Sequence, residues 1–266
     1  MASLYHKLLN WVGEDRQVAL LTVVDSDGRA EPAWGAKLVV SEGGRLLAGE
    51  PVSDEIQGRL QAFARELFQR PVPRVQRIEL EDGWLEVYGE TVTEQPDLYL
   101  FGGGHVSKAV AEVAALAGFH PVVVEDRPQF ASPERFPEGT RFHVGPWDEV
   151  VGRLRFHSNL YMVIVTRAHA YDRDVLAQVI EKPCRYLAMI GSRKKIATIF
   201  NALMKQGVSR QRLAQVHAPM GLGIGAQTPG EIAVSVVAEM IAVKYGIEGR
   251  DLWPERVISE ASQGRD

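Results

Sequence analysis

Two hydrophobic rhythms divide this chain. Up to about residue 94, short alternating or β-rich runs pair across tight turns. Val18 to Val24 (VALLTVV) ends in Asp25-Ser26-Asp27-Gly28, and Ala36 to Val40 turns through Glu42-Gly43-Gly44 into Arg45 to Ala48. Val75 to Leu80 and Trp84 to Tyr88 flank Glu81-Asp82-Gly83, a second hairpin pattern. Two helices are predicted in this part. Ser3 to Val12 has helical apolar spacing, and Ser53 to Gln69 places Ile56, Leu60, Phe63 and Leu67 on one face behind Ser53 as N-cap, with Pro71 and Pro73 stopping it.

After the polar stretch Thr91 to Asp97, buried-type strands alternate with helices, the signature of a parallel sheet. The predicted strands are Leu98 to Phe101, Pro121 to Glu125, Arg141 to Val144, Tyr161 to Thr166 and Tyr186 to Ile190. A helix is predicted from His105 to Ala117. The last runs from Pro229 to Tyr245, opened by Thr228-Pro229-Gly230-Glu231, an N-cap, a first-turn proline and a capping-box glutamate. The expected architecture is α/β: a small N-terminal α+β domain over 1–94, a Rossmann-like parallel-sheet domain over 95–258, and a flexible tail over 259–266.

At 266 residues, with 45% hydrophobic and 24% charged positions, the chain has the composition of an ordinary globule with a sizeable core. A net charge of −4 argues against a nucleic-acid partner. No apolar run reaches membrane-spanning length, and Met1 to Asn10 lacks a signal-peptide core. The single cysteine, Cys184, precludes an intrachain disulfide and fits a reducing cytoplasm; its surroundings suggest a small core residue. Metal ligation is not indicated, because the histidines are scattered and no C-x-x-C or H-x-x-x-H spacing occurs.

Four segments carry candidate chemistry. Gly102, Gly103, Gly104, His105, Val106 and Ser107 follow a strand and open a helix. That context fits a loose G-x-G-x-x-G/A phosphate loop, and equally a glycine turn that packs helix on sheet. Glu125 and Asp126 end the next strand where a carboxylate usually grips a ribose, and Arg127 beside them suits a 2′-phosphate or another anion. Gly191, Ser192 and Arg193, with Lys194 and Lys195, form a second strand-to-helix turn: an anion site or a solvated basic face. Thr166, Arg167 and His169 lie just past a strand, on the ligand edge of such sheets, with Asp172 expected to cap the following helix. The alternating glycines of His217 to Gln227 permit close backbone approach to a ligand or to another copy of the chain, or form a structural turn. Catalytic residues are not defined; His105 and His169 are the candidates for proton transfer, with Lys108 beside them.

Taken together, the chain resembles the accessory factors of xanthine dehydrogenase and carbon monoxide dehydrogenase. The resemblance rests on LFGGGHV (100–106), Glu125 to Arg127 with Arg135-Phe136-Pro137, VTRAHAYD (165–172), MIGSRK (189–194), HAPMGLGIGA (217–226) and 228–242. It implies a chaperone that binds molybdenum cofactor (molybdopterin), assists its sulfuration with a cysteine desulfurase, and delivers it to a xanthine dehydrogenase-type molybdoenzyme. Gly102, Gly104 and His105 would line one side of that site, with Arg167, His169, Ser192 and Arg193 opposite. The first 95 residues depart from the family: Gly35 to Leu38 is retained, but the early cysteine and triple glycine are missing. Two other readings suit the same fold: an NAD(P)-dependent oxidoreductase, and a non-catalytic scaffold whose glycine loops serve an interface. A homodimer is expected only because twofold assemblies are the commonest.

Overall fold

The computed structural model describes residues 17–27, 34–50, 52–81 and 83–247, together with Leu4, Leu8 and Trp11. The side chain of His169 is outside that set, as are most of the helix expected over Ser3 to Val12, the turn residues Gly28 and Asp82, and the tail after Ile258.

Two five-stranded sheets follow one another along the chain. The first is antiparallel: β1 (Val18–Ser26), β2 (Lys37–Ser41), β3 (Leu46–Ala48), β4 (Arg74–Leu80) and β5 (Gly83–Val92), in the order β3-β2-β1-β5-β4. Helix α1 (Asp54–Gln69) starts at Ser53, whose hydroxyl accepts from the Ile56 N–H. Its predicted face buries Ile56, Leu60, Phe63 and Leu67 against Leu21, Leu38, Leu85 and Val87. On the opposite face of the sheet Leu4, Leu8 and Trp11 pack with Val18, Leu20 and Val39.

The second sheet is parallel: β6 (Asp97–Phe101), β7 (His120–Glu125), β8 (Arg141–Val144), β9 (Tyr161–Ile164) and β10 (Tyr186–Met189), in the order β10-β9-β6-β7-β8. Residue alternation along these strands feeds two cores. Phe101, Val124, Ile164 and Met189 face α3 (Trp147–Arg153), α4 (His169–Val179) and α5 (Arg193–Lys205). Leu100, Val123, Val163 and Ala188 face α2 (His105–Leu116) and α7 (Pro229–Lys244). Helices cover both faces, which is why these strands read as continuous apolar runs. The capping box predicted at Thr228 and Glu231 is formed.

The pattern gave no sign of α3 or of α6 (Arg210–Leu213), whose seven and four residues are too few to set up a periodicity. His217 also departs from expectation. The glycine-rich segment it opens is not all loop, because His217 bridges Ala188 in parallel and Met220 donates to the Met189 carbonyl, extending the sheet beyond β10.

Chain order runs β6, β7, β8 to one side and then returns to β9 and β10 on the other. The reversal falls between β6 and β9, and in open α/β sheets the crevice outside that point is where ligands bind.

Candidate functional site at the sheet reversal

Gly102 leaves β6 with φ +117° and lies so close to β9 that a Cβ there would collide with the Val165 carbonyl. A Cβ at Gly103 would strike the Phe130 carbonyl. Only glycine permits both approaches. Gly104 then caps α2 with its backbone alone: no side chain bonds the first-turn N–H groups, no acid lies in that turn, and a Cβ would meet open space. His105, the first residue of the helix, is exposed and Val106 is half-buried. Uncapped N–H groups at the positive end of a 12-residue helix favour an anion.

Beneath the loop lies Glu125, 1% exposed. The sequence placed it as a ribose ligand; the structure turns it inward. Its carboxylate accepts from the Gly103 N–H at 2.7 Å and from Arg127 Nε at 3.0 Å. Burial pushes this carboxyl up, but hydrogen bonds from Arg127, Asp126 and Gly103, with the Arg127 charge, outweigh burial and hold it at about 2. Arg127 is committed as well. Its guanidinium lies 3.8 Å from the Phe130 ring centroid, with Arg135 on the same ring at 4.9 Å. Arg135 Nη2 also donates to the Gly103 carbonyl at 3.0 Å. The segment 127–136 therefore buttresses the glycine loop, a role the sequence reading did not assign to Arg135-Phe136-Pro137, which entered only as a motif of the resemblance.

Asp126 faces the crevice. Burial and the Glu125 carboxylate raise its pKa, while Arg167 pulls it down. Arg167 donates to Asp126 Oδ1 at 2.7 Å and to the Tyr171 hydroxyl at 2.8 Å. Asp126 follows β7 and Arg167 follows β9, so their ion pair spans the end of β6, which lies between those strands.

The remaining predicted residues divide. Asp172 is not an N-cap: α4 starts one turn earlier, at His169 after Ala168, and Asp172 is fully buried inside it. It accepts from the Thr166 N–H at 3.0 Å, the Thr166 hydroxyl at 2.7 Å and Lys195 Nζ at 2.5 Å. Lys195 also donates to the Ile190 carbonyl, so one of the three adjacent cations is internal. Arg193 and Lys194 remain exposed. Ser192 caps α5, its hydroxyl accepting from the Lys195 N–H, and Gly191 makes room for the Lys195 stem. Away from the crevice, Glu239 accepts from the Tyr186 hydroxyl at 2.5 Å and the Gly221 N–H at 2.9 Å, and pairs with His217 Nδ1 at 3.1 Å. This network pins the glycine-rich segment to α7; the sequence showed the glycines but not the glutamate that holds them.

A doubly wound parallel sheet with a glycine loop at its reversal defines a Rossmann-type binding domain. Residues 98–240 match the XdhC Rossmann domain family and residues 11–79 match the XdhC and CoxI family, so the chain belongs to the XdhC family. The second match lies within the N-terminal part, where the sequence motifs led us to expect divergence from the family. The chain is 31% identical over 243 residues to the uncharacterized protein YqeB of Escherichia coli (strain K12), covering 87% of this chain and 44% of that protein. It is 25% identical over 163 residues to a probable xanthine dehydrogenase component of Bacillus subtilis (strain 168), covering 61% and 47%. It thus spans less than half the length of either relative. A crystal structure described as a xanthine dehydrogenase from Bacillus halodurans shares the fold over 97% of this chain and 99% of that one, with a TM-score of 0.55 and 17% identity. Among the described residues no helix is long and apolar enough to cross a membrane.

Proposed function

We propose that this chain is a molybdenum-cofactor-binding accessory factor, serving sulfuration of the cofactor and its insertion into a xanthine dehydrogenase-type enzyme. Membership of the XdhC family supports the accessory role. The observation that carries the binding reading is the uncapped start of α2 at the sheet reversal, with Arg167 across the same crevice bonded to Asp126 and Tyr171. Helix N–H groups and a guanidinium suit the phosphate of a pterin cofactor. Exposed Arg193, past β10, would be a second grip. When bound, the cofactor supplies the metal and sulfur chemistry; the residues of the chain hold and orient it.

Binding requires an exchange of partners. Arg167 must release Asp126 to meet an anion, which frees the Asp126 carboxylate for an N–H or hydroxyl donor on the same ligand. Sulfur would come from a cysteine desulfurase. Burial raises the pKa of Cys184, the single cysteine, so this thiol is a poor sulfur carrier at neutral pH. Glu125, turned under the loop, is not placed to grip a ribose; Asp126, on the crevice side, is the carboxylate that the NAD(P) oxidoreductase reading would use.

The test is equilibrium dialysis of the purified chain against molybdenum cofactor released from a molybdoenzyme and, separately, NADPH. The cofactor is expected to be retained and NADPH ignored. Arg167→Ala should weaken retention about tenfold, the scale of one charge-assisted contact. Asp126→Asn, which releases Arg167 in advance, should strengthen it a few-fold. NADPH binding without cofactor retention would overturn this reading in favour of the oxidoreductase; retention of neither would leave the scaffold.

A further inference from the structure

One stretch of the chain breaks its charge balance. Residues 182–230 hold eight of the 30 lysines and arginines and none of the 34 acids, although the whole chain is net negative at −4. Four of the eight cations are engaged. Lys195 pairs with Asp172, Arg212 donates to the Ile180 carbonyl, Arg185 donates to the Lys244 carbonyl, and Lys182 lies over the Phe156 ring. The other four, Arg193, Lys194, Lys205 and Arg210, are exposed, and among the described residues they make no ion pair or side-chain hydrogen bond.

These four cations flank an apolar groove. Between α5 and α6 lies a trough of about 470 Å³, floored by Ala197, Phe200, Met204, Leu213 and Ala214, with Arg210 in its lining. Met204 is 40% exposed and Phe200 is half-buried. Arg193 and Lys194 stand one turn before Ala197, and Lys205 follows Met204, so charge lies at both ends of the apolar stripe of α5. Among the described residues no carboxylate lines the groove. Exposed apolar surface gains by being covered, and the unpaired cations select an acidic cover. A nucleic-acid backbone would meet the cations but has no apolar face to set on Met204 and Phe200. A bilayer surface would leave a concave trough empty. A helix with apolar residues along one face and carboxylates beside them satisfies both features. We propose that the α5–α6 groove docks an acidic amphipathic helix of a partner protein. Its apolar residues seat on Phe200 and Met204, and its carboxylates meet Arg210 and Lys205 at one end and Arg193 and Lys194 at the other. Because α5 starts at the turn after β10, a partner docked there stands beside the crevice at the sheet edge.

The test is fluorescence anisotropy of the full chain with a labelled peptide of about four helical turns, leucines along one face and glutamates on both flanks. The control peptide has the same residues in an order that scatters the leucines around the helix. One short groove is a small interface, so the expected dissociation constant is on the order of ten micromolar, weakening as salt is added. The control should bind about tenfold more weakly. Met204→Gln keeps a good helix former and removes the apolar seat, and should raise the constant about fivefold. Arg210→Glu puts an acid in the first turn of α6, where the helix dipole favours it, and should raise the constant about tenfold. Circular dichroism of each variant separates lost docking from lost folding. Cofactor is absent from every arm, so failure here leaves the cofactor reading standing, and the reverse. Equal binding of the two peptides would reduce this face to a patch of charge and overturn the proposal. Tighter binding of a DNA duplex or of phosphatidylserine vesicles would overturn it in favour of those partners. A wild-type chain that ignores the peptide, or folded variants that bind it as wild type does, would overturn it as well.

Discussion

After β6 the chain passes through Gly102, Gly103 and Gly104 and begins α2 with no side chain on its first N–H groups. After β10 it passes through Gly191 and Ser192 and begins α5 with the Ser192 hydroxyl on the Lys195 N–H. The two turns share a sequence signature: small residues, then a basic or imidazole group at the head of a helix. Their chemistry differs because a glycine cap leaves its donors to whatever arrives, while a serine cap takes one for itself. Charge follows the same division. Lys195 turns inward to Asp172, so the second turn satisfies part of its own cation, whereas Arg167 beside the first turn is held by the crevice-facing Asp126.

Asp172→Ala should break the second turn most severely, since it strands the Lys195 ammonium in an interior site. Loss of about 3–5 kcal/mol is expected in urea unfolding. Arg193→Ala, two residues from Lys195, should stay within about 0.5 kcal/mol, although on the proposed function it should weaken cofactor retention. Equal effects from the two would erase the distinction between internal and outward cations. Next in size, Glu125→Gln should cost about 2 kcal/mol at neutral pH through the charged hydrogen bonds to Arg127 and Gly103. The folded pKa of this carboxyl, about 2, lies below its ordinary 4.5. Its contribution is therefore complete above pH 4.5 and lost as pH falls toward 2. Denaturation of wild type and variant side by side should show the gap narrowing only on the acid side; a constant gap would mean that the charge contributes nothing. Ser192→Ala should cost about 1 kcal/mol as a lost cap. Smallest in stability, Gly104→Asp has room for its side chain and supplies α2 with a cap, so stability should change by only a few tenths of a kcal/mol. Anion binding at that turn should nevertheless disappear, read by dialysis against the cofactor.

The sequence was most informative where a residue's neighbours in the chain decide its role. The caps at Ser53 and Thr228, the parallel strands and the glycine loop were legible because capping, burial and close approach leave local marks. Roles set across the sheet were not. Glu125 was legible as an acid ending a strand, but whether it points toward a ribose or under the loop depends on Arg127 and the Gly103 N–H. Asp172 has a capping residue's composition at a helix start; its actual partners are Thr166, just past β9, and Lys195, in the first turn of α5. Likewise Lys195 is chemically identical to Lys194 in the sequence, and only the fold turns one of them inside.

The bridge between His217 and Ala188 has a consequence for the state of the protein in a crowded solution. A terminal strand of a parallel sheet offers a row of unused backbone donors and acceptors to any extended chain that passes. Residues 217–220 take up those groups along β10, and the far side of the sheet ends in β8, only four residues long and bearing Arg141 and His143. The segment is kept there by Glu239 and by Gly221, whose φ of +88° and contact with Ser235 leave no room for a side chain. Gly221→Val would thus do its damage far from the crevice: it would peel a protective selvedge from the sheet and leave β10 open to intermolecular pairing, turning a folding defect into precipitation.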